Sequence, residues 1–274
     1  MRPGLILDHL TVGAATPLEL IQAAACAGFD GVGLFLHAMQ EVPVMAKFDL
    51  IYDLVARRAA RRAAEEAGCR IGITYPFTLS RTSRAADFVE ALDAAAELGA
   101  EAINILLFDP DRGRRTDSVG ALVEEAASRG LEAGIEFFPL SSIPTFEAAI
   151  ALCDGVPSLK VTVDLLHLNR SGGSADEVLA CRSRVLLIQL CDAPLTPPQD
   201  LFGEASSNRL LPGEGELDLS GLLERCQAEV PISVEAPVAH SRGLSPAVLA
   251  RKAHSAARLC LSPAASPVLS WSAT

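Results

Sequence analysis

Eight short apolar runs, each followed by a segment with helical spacing, predict an α/β chain closed into a (β/α)8 barrel, the TIM-barrel class. Two observations support that class. The runs are apolar almost throughout, as strands of a parallel sheet covered on both faces must be. Several helical segments end in a glycine before the next run (Gly28, Gly68, Gly99, Gly130), where a left-handed cap is expected. A chain of 274 residues, half of them hydrophobic, buries a core of the required size. We read residues 1–260 as a single barrel domain and 261–274, rich in Ser, Pro and Ala, as a loosely ordered tail. A doubly wound open sheet is the alternative, but no Gly-x-Gly-x-x-Gly follows the first strand.

The predicted strands are Leu5–Val12, Gly31–Leu36, Arg70–Tyr75, Ala102–Phe108, Leu131–Phe138, Leu159–Asp164, Arg184–Cys191 and Pro231–Glu235. Between the first two lies Pro17–Ala27, whose Thr16-Pro17 start supplies an N-cap and a proline at the first helical position. Asp49–Ala67 and Arg84–Leu98 are rich in the strong helix formers alanine, leucine, arginine and glutamate. Thr116–Arg129, Pro144–Cys153, Ser174–Ala180, Asp218–Cys226 and Ser245–Leu259 complete the alternation.

A formal charge of −11 and a pI near 4.9 argue against a nucleic-acid or anionic-membrane surface, though not against a small anionic ligand. Asp8 and His9 interrupt the first apolar run, and no stretch approaches the roughly 18–20 residues of a membrane span. A cytoplasmic location is the expectation. The seven cysteines are scattered, odd in number and without C-x-x-C spacing, which fits reduced thiols rather than a disulfide framework. Cys191 is read as packing.

The last four strands each carry one oxygen-bearing polar residue in an apolar run: Glu136, Asp164, Gln189 and Glu235. Burying one uncompensated carboxylate costs several kcal/mol or more, so three carboxylates and an amide call for a common neutraliser. They fall at the C-terminal strand ends, where such barrels hold their chemistry. Two residues earlier on each strand stand Gly134, Thr162, Leu187 and Ser233, three of the four small, as an inward face requires. Strands lie about 4.8 Å apart, so neighbouring inward side chains can reach one ion. An all-oxygen set predicts one divalent metal ion, Mn²⁺ or Mg²⁺ rather than Zn²⁺.

Around this set, His167 is placed in the loop after the sixth strand, as a group that orients a substrate hydroxyl or moves a proton. Asp192 is a candidate to orient a ligand or bound water, Arg209 to reach a substrate oxygen, and His9 to face the barrel mouth. Asn169-Arg170-Ser171-Gly172-Gly173 is a weak phosphate-loop signal, and Arg112, Arg114 and Arg115 are read as a solvated loop.

The runs Gly-Ile-Glu-Phe-Phe-Pro, Val-Asp-Leu-Leu-His-Leu-Asn-Arg-Ser-Gly-Gly, Ile-Gln-Leu-Cys-Asp-Ala-Pro, Arg-Leu-Leu-Pro-Gly-Glu-Gly-Glu-Leu-Asp-Leu and Ser-Val-Glu-Ala-Pro together resemble the xylose isomerase-like TIM barrels. That family includes sugar-phosphate isomerase/epimerase proteins, ketose 3-epimerases and inosose dehydratases. The resemblance implies that Glu136, Asp164, Gln189 and Glu235 hold the metal, that Glu136 and Glu235 also form a facing acid/base pair, and that His167 and Arg209 bind substrate. Gln189 departs from the sugar epimerases, which carry histidine there, and is similar to the 3-dehydroshikimate dehydratases.

The expected activity is therefore metal-dependent proton abstraction beside a carbonyl of a small polyol, sugar or keto acid, ending in an isomer or epimer. Loss of a β-hydroxyl would make the enzyme a dehydratase instead. A sugar-binding barrel without turnover is a third reading, and a homo-oligomer is open. An apurinic-site endonuclease fits poorly, because that branch uses a histidine-rich zinc cluster and this acidic chain has five histidines.

Overall fold

In the computed structural model of the chain, the residues described are 1–40, 42, 45–226, 229–238 and 243–261. Among them the strands are β1 (Leu5–Asp8), β2 (Gly31–Phe35), β3 (Arg70–Ser80), β4 (Ala102–Phe108), β5 (Glu132–Glu136), β6 (Leu159–Asp164), β7 (Val185–Leu190) and β8 (Ile232–Val234). All neighbours pair in parallel and β8 returns to β1, so the sheet closes into a barrel in sequence order. The helices are α1 (Pro17–Ala27), α2 (Leu54–Ala67), α3 (Val89–Leu98), α4 (Arg112–Ala127), α5 (Phe146–Gly155), α6 (Leu165–Arg170), α7 (Ala175–Ala180), α8 (Leu201–Ser207), α9 (Ser220–Cys226) and α10 (Pro246–Leu261). None of them is long and apolar enough to cross a membrane.

Local chemistry explains the boundaries that differ from expectation. The first strand stops at Asp8 because its carboxylate accepts the Leu10 N–H and caps a 3-10 turn over His9–Val12. The second helix begins at Leu54, five residues late, where Asp53 accepts the Val55 and Ala56 amides. Ala85–Phe88 forms a 3-10 turn before α3 rather than its first turn. The helix after β4 starts four residues before the expected Thr116, so Arg112, Arg114 and Arg115 are its first turn and not a loop. Arg114 pairs with Asp109 at 2.5 Å, and Arg115 donates to the Asp109 carbonyl. Two short helices were not anticipated. α6 takes up the segment carrying His167, with Asp164 as its N-cap, and α8 interrupts the long connection after β7. Of the expected tail, Leu261 ends α10 and the remaining residues lie outside those described.

The core has two layers. The larger packs the outward faces of the strands against the helices, as with Leu7, Val32, Ile105, Val163 and Val234 against Leu20, Leu92, Leu122 and Ala253. A smaller cluster fills the barrel itself, with Ile6, Ile73, Ala102 and Leu187 below Phe35 and Tyr75. Above that plug the interior becomes polar.

Candidate active site

Register brings the polar strand ends together. Asp164 pairs with Gln189, and Gln189 with Ser233, two residues below Glu235. Glu136 pairs with Thr162, two residues below Asp164. Side chains alternate along a strand, so all four point into the barrel on a staggered ring. All four are buried.

Their contacts divide them. His167 Nε2 lies 3.5 Å from Glu136 Oε1 and 3.9 Å from Asp164 Oδ2. The ligand atoms of Glu136, Asp164 and His167 lie within 4.8 Å of one another, close enough to hold a metal ion. The α6 cap fixes this triad: the Asp164 carboxylate accepts the His167 N–H at 3.1 Å, and the imidazole packs on Phe138 with ring centroids 4.6 Å apart. Glu235 faces Arg209 instead. The Arg209 Nη1 donates to Asp164 Oδ2 at 2.5 Å and to the Glu235 carbonyl at 3.1 Å, and it stands 3.0 Å from Glu235 Oε2 as an ion pair. Its Nε donates to the Ala205 carbonyl at 2.7 Å, and the guanidinium is buried. Gln189 donates its amide N–H to the Tyr75 hydroxyl at 3.4 Å, while its Oε1 is buried with no partner.

Two members of this interior were not singled out from the sequence. Asp8 ends β1 and is completely buried; Leu7 pairs with Val234, so the next rung sets Asp8 beside Glu235. Gly33 makes room for it, since a Cβ there would stand 2.6 Å from Asp8 Oδ2. That oxygen has no hydrogen bond of normal geometry, although the Tyr75 hydroxyl stands near it. Asn104, on β4, donates its side-chain N–H to Glu136 Oε2. The signal for both was present: each is a lone polar residue in an apolar strand, as in the last four strands.

Among the described residues the interior thus holds four buried carboxyl groups, Asp8, Glu136, Asp164 and Glu235, against the one guanidinium of Arg209. The imbalance appears as two carboxyl groups raised above their ordinary range. Burial pushes Asp8 up to about 7, with the Tyr75 hydroxyl and the Leu10 amide pulling the other way. Burial also raises Glu235 well above the carboxylate range; Arg209 opposes this, and Asp8, Glu136 and Asp164 add to it. Burial acts in the same sense on Asp164, but Arg209, His167 and the capping amide overcome it and hold Asp164 down to about 2. Burial works against the charge of Arg209, yet Asp164 and Glu235 keep it protonated. A divalent cation fits this environment, since it would neutralise what a single arginine leaves over and would meet the unpartnered Gln189 Oε1.

The other candidates lie outside the cluster. His9 is buried with both ring nitrogens on backbone: Nε2 meets the Ala15 carbonyl at 2.9 Å, and Nδ1 accepts the Phe35 N–H at 3.4 Å. Burial lowers it to about 4, so it stays neutral and packs on Phe48. Asp192 accepts the backbone N–H groups of Ala193, Gly213 and Leu217, tying down the loop that follows Arg209. Arg170 forms a buried two-pronged pair with Glu204 at 2.7 and 2.9 Å, and donates to Asn169, so the arginine of the predicted phosphate loop is engaged by its neighbours. Cys191 is buried near Arg209, with its thiol pushed up by burial to about 12.

A cavity of about 640 Å³ opens above the cluster. Its floor is Tyr75, Asn104, Glu136, His167, Arg209 and Glu235. Its walls are mainly apolar and aromatic, including Phe35, Met39, Phe88, Leu106, Phe108 and Phe202.

A sequence model of the xylose isomerase-like TIM barrel family matches residues 21–258. A 3-dehydroshikimate dehydratase of Pseudomonas putida (strain KT2440) is 25% identical over 227 residues, covering 75% of this chain and 33% of that protein. A fusion protein of a xylose isomerase-like TIM barrel with a 4-hydroxyphenylpyruvate dioxygenase superposes with a TM-score of 0.76 at 23% identity, over 92% of this chain and 42% of that one. The zinc-bound IolI protein superposes with a TM-score of 0.75 at 16% identity, over 94% of this chain and 98% of its own. The chain therefore spans about a third of the dehydratase and under half of the fusion protein, but nearly all of IolI.

Proposed function

The chain belongs to the xylose isomerase-like TIM barrel family, and from that premise we propose that it is a metal-dependent enzyme that removes the proton beside a substrate carbonyl and then expels a β-hydroxyl as water. The observation that carries this reading is the contact of His167 Nε2 with Glu136 Oε1 at 3.5 Å, on the floor of the cavity and beside Asp164. A carboxylate and an imidazole in contact form a base with a proton carrier, which an elimination needs on one side of its substrate. The glutamine at 189 and the likeness to a 3-dehydroshikimate dehydratase support the same outcome.

Glu136, Asp164, Gln189 and Glu235 would supply the oxygens for the cation, with Mg²⁺ or Mn²⁺ preferred for that donor set. The cation would lower the cost of negative charge developing on the carbonyl oxygen as the proton leaves. Arg209, fixed by Asp164 and Glu235, adds a second positive charge on the same floor. Asn104 holds Glu136 by its Oε2 and leaves Oε1 toward His167, so the base is oriented before substrate arrives. His167, within reach of Glu136, delivers the proton to the departing hydroxyl. The proton taken from carbon and the hydroxyl released together account for the water formed.

One observation favours a second outcome. Glu235 is raised well above the ordinary carboxylate range, by burial first. A carboxyl group three strands round the barrel from the base could return a proton to carbon and give an isomer or epimer. Proton NMR of the products in deuterated water separates the two. A conjugated, ultraviolet-absorbing product with loss of water supports the dehydratase, while solvent deuterium at carbon without water loss supports the isomerase. Neither change across a panel of cyclic and open-chain hydroxyketones would reject both and favour a binding barrel.

A further inference from the structure

The cavity above the carboxylates joins a polar floor to apolar walls, and that contrast bears on the substrate class. We propose that the substrate is a neutral, largely apolar hydroxyketone, with an alicyclic or aromatic body against the walls and its oxygens confined to one end. This rests on the reading of the floor as the place where the proton is removed.

Three observations carry it. First, most wall residues cannot hydrogen-bond: Phe35, Met39, Phe88, Leu106, Phe108 and Phe202 face the space. A sugar buried there would leave hydroxyl groups without partners, which binding does not tolerate cheaply. Second, Phe108 and Phe202 are 40% and 50% exposed although both are large and apolar. Large apolar side chains exposed around the mouth of a concave site mark a surface that gains by being covered with an apolar group. Third, among the described lining residues the only guanidinium or ammonium group is Arg209. Its Nη1 serves Asp164 and Glu235 and its Nε the Ala205 carbonyl, so its single charge is already set against two carboxylates. The cavity therefore disfavours sugar phosphates, and it also disfavours 3-dehydroshikimate, whose carboxylate would need a cation of its own.

The test measures binding separately from turnover. Wild-type protein with Mg²⁺ is titrated, by saturation-transfer NMR, with 2-hydroxycyclohexanone, D-fructose, D-fructose 6-phosphate and 3-dehydroshikimate. The neutral ring compound should bind at least about tenfold tighter than the other three, the difference that burial of two or so methylenes makes. Phe108→Ser and Phe202→Ser, both at exposed positions, should each remove most of that preference. Equal or tighter binding of fructose, its phosphate or 3-dehydroshikimate would overturn the proposal, as would a preference untouched by both substitutions. Solvent-deuterium exchange in the same samples keeps the two readings apart. The binding order without exchange sinks the chemistry and leaves the specificity standing; exchange into fructose but not the ring compound does the reverse.

Discussion

The two halves of this barrel end differently at the same mouth. Strands β5 to β8 carry Glu136, Asp164, Gln189 and, just past β8, Glu235 at this end, all buried, and the three carboxylates are within reach of Arg209 or His167. Strands β2 to β4 present Phe35, Tyr75 and Phe108 there, and with the segments that follow them contribute most of the apolar wall. β1 belongs with the second half, because closure of the barrel sets Asp8 beside Glu235. One half thus carries charge that needs compensation, and the other carries apolar surface that needs covering. A barrel allows this division because each strand end can change without disturbing the plug of Ile6, Ile73, Ala102 and Leu187 beneath it.

The sharpest way to break the comparison is to remove charge from the second half alone. Glu136→Gln should lower turnover by about a thousandfold, the mid-range for losing a general base, and should reduce the Mn²⁺ retained after dialysis, measured by elemental analysis. Phe108→Ala, in the other half, should keep the full metal complement and change only substrate affinity. If Glu136→Gln keeps both metal and turnover, the division has no chemical content.

Arg209 tests the balance within the charged half. Arg209→Met leaves Asp164 and Glu235 without the guanidinium that both contact. Losing one partner of a buried ion pair typically costs about 3–5 kcal/mol. Urea denaturation of the metal-free protein should show a loss of that order, and saturating Mn²⁺ should recover part of it by binding the folded state only. A loss that Mn²⁺ leaves untouched would mean that the cation and the arginine do not share these carboxylates.

Asp8 gives a smaller effect with a definite sign. Its pKa is about 7 in the folded chain against an ordinary value of 3.8, so between those values the folded state holds a proton that the unfolded chain has lost. Stability from this group is therefore full below about pH 4 and falls as pH rises toward 7 and beyond. Asp8→Asn removes the buried charge and keeps an oxygen to accept the Leu10 amide. In metal-free protein it should raise the melting temperature by at least about 2–4 °C at pH 8.5, the equivalent of roughly 1 kcal/mol in a chain of this size, and change it little at pH 4. An equal gain at both values would remove the titration from the explanation.

How much of this was legible in the sequence follows from the kind of signal. The alternation of apolar runs and helix formers located every strand of the barrel, because burial on both faces leaves no polar residue to blur the run. The same clarity exposed Glu136, Asp164, Gln189 and Glu235. It also exposes Asp8 and Asn104, but in the sequence Asp8 stands out only as a break in an apolar segment, and Asn104 carries no charge to mark it. Strand pairing, a long-range fact, gives both their meaning by placing Asp8 against Glu235 and Asn104 against Glu136. The loops were less readable for another reason. His9, Asp192 and Arg170 are polar residues satisfied by backbone or by Glu204, and sequence spacing does not distinguish a side chain that serves its own loop from one that serves a ligand.

Gln189 offers the finest adjustment, because it changes the donor atom and not the charge. Its Oε1 is buried without a partner, while its amide is turned to Tyr75. Gln189→His would replace an oxygen donor by an imidazole nitrogen at the same strand end, and nitrogen favours Zn²⁺ over Mg²⁺. The variant should therefore shift metal preference toward zinc by about tenfold, the usual weight of one well-placed ligand or its supporting contact, measured by competition between Zn²⁺ and Mn²⁺ for the apoprotein. Tyr75→Phe should leave that preference unchanged while loosening the glutamine, and so lower affinity for both ions alike. Should the histidine variant choose metals as the wild type does, Gln189 is no ligand and its unpartnered oxygen faces water or substrate instead. The cation would then rest on Glu136, Asp164 and His167, the three groups already within reach of one another.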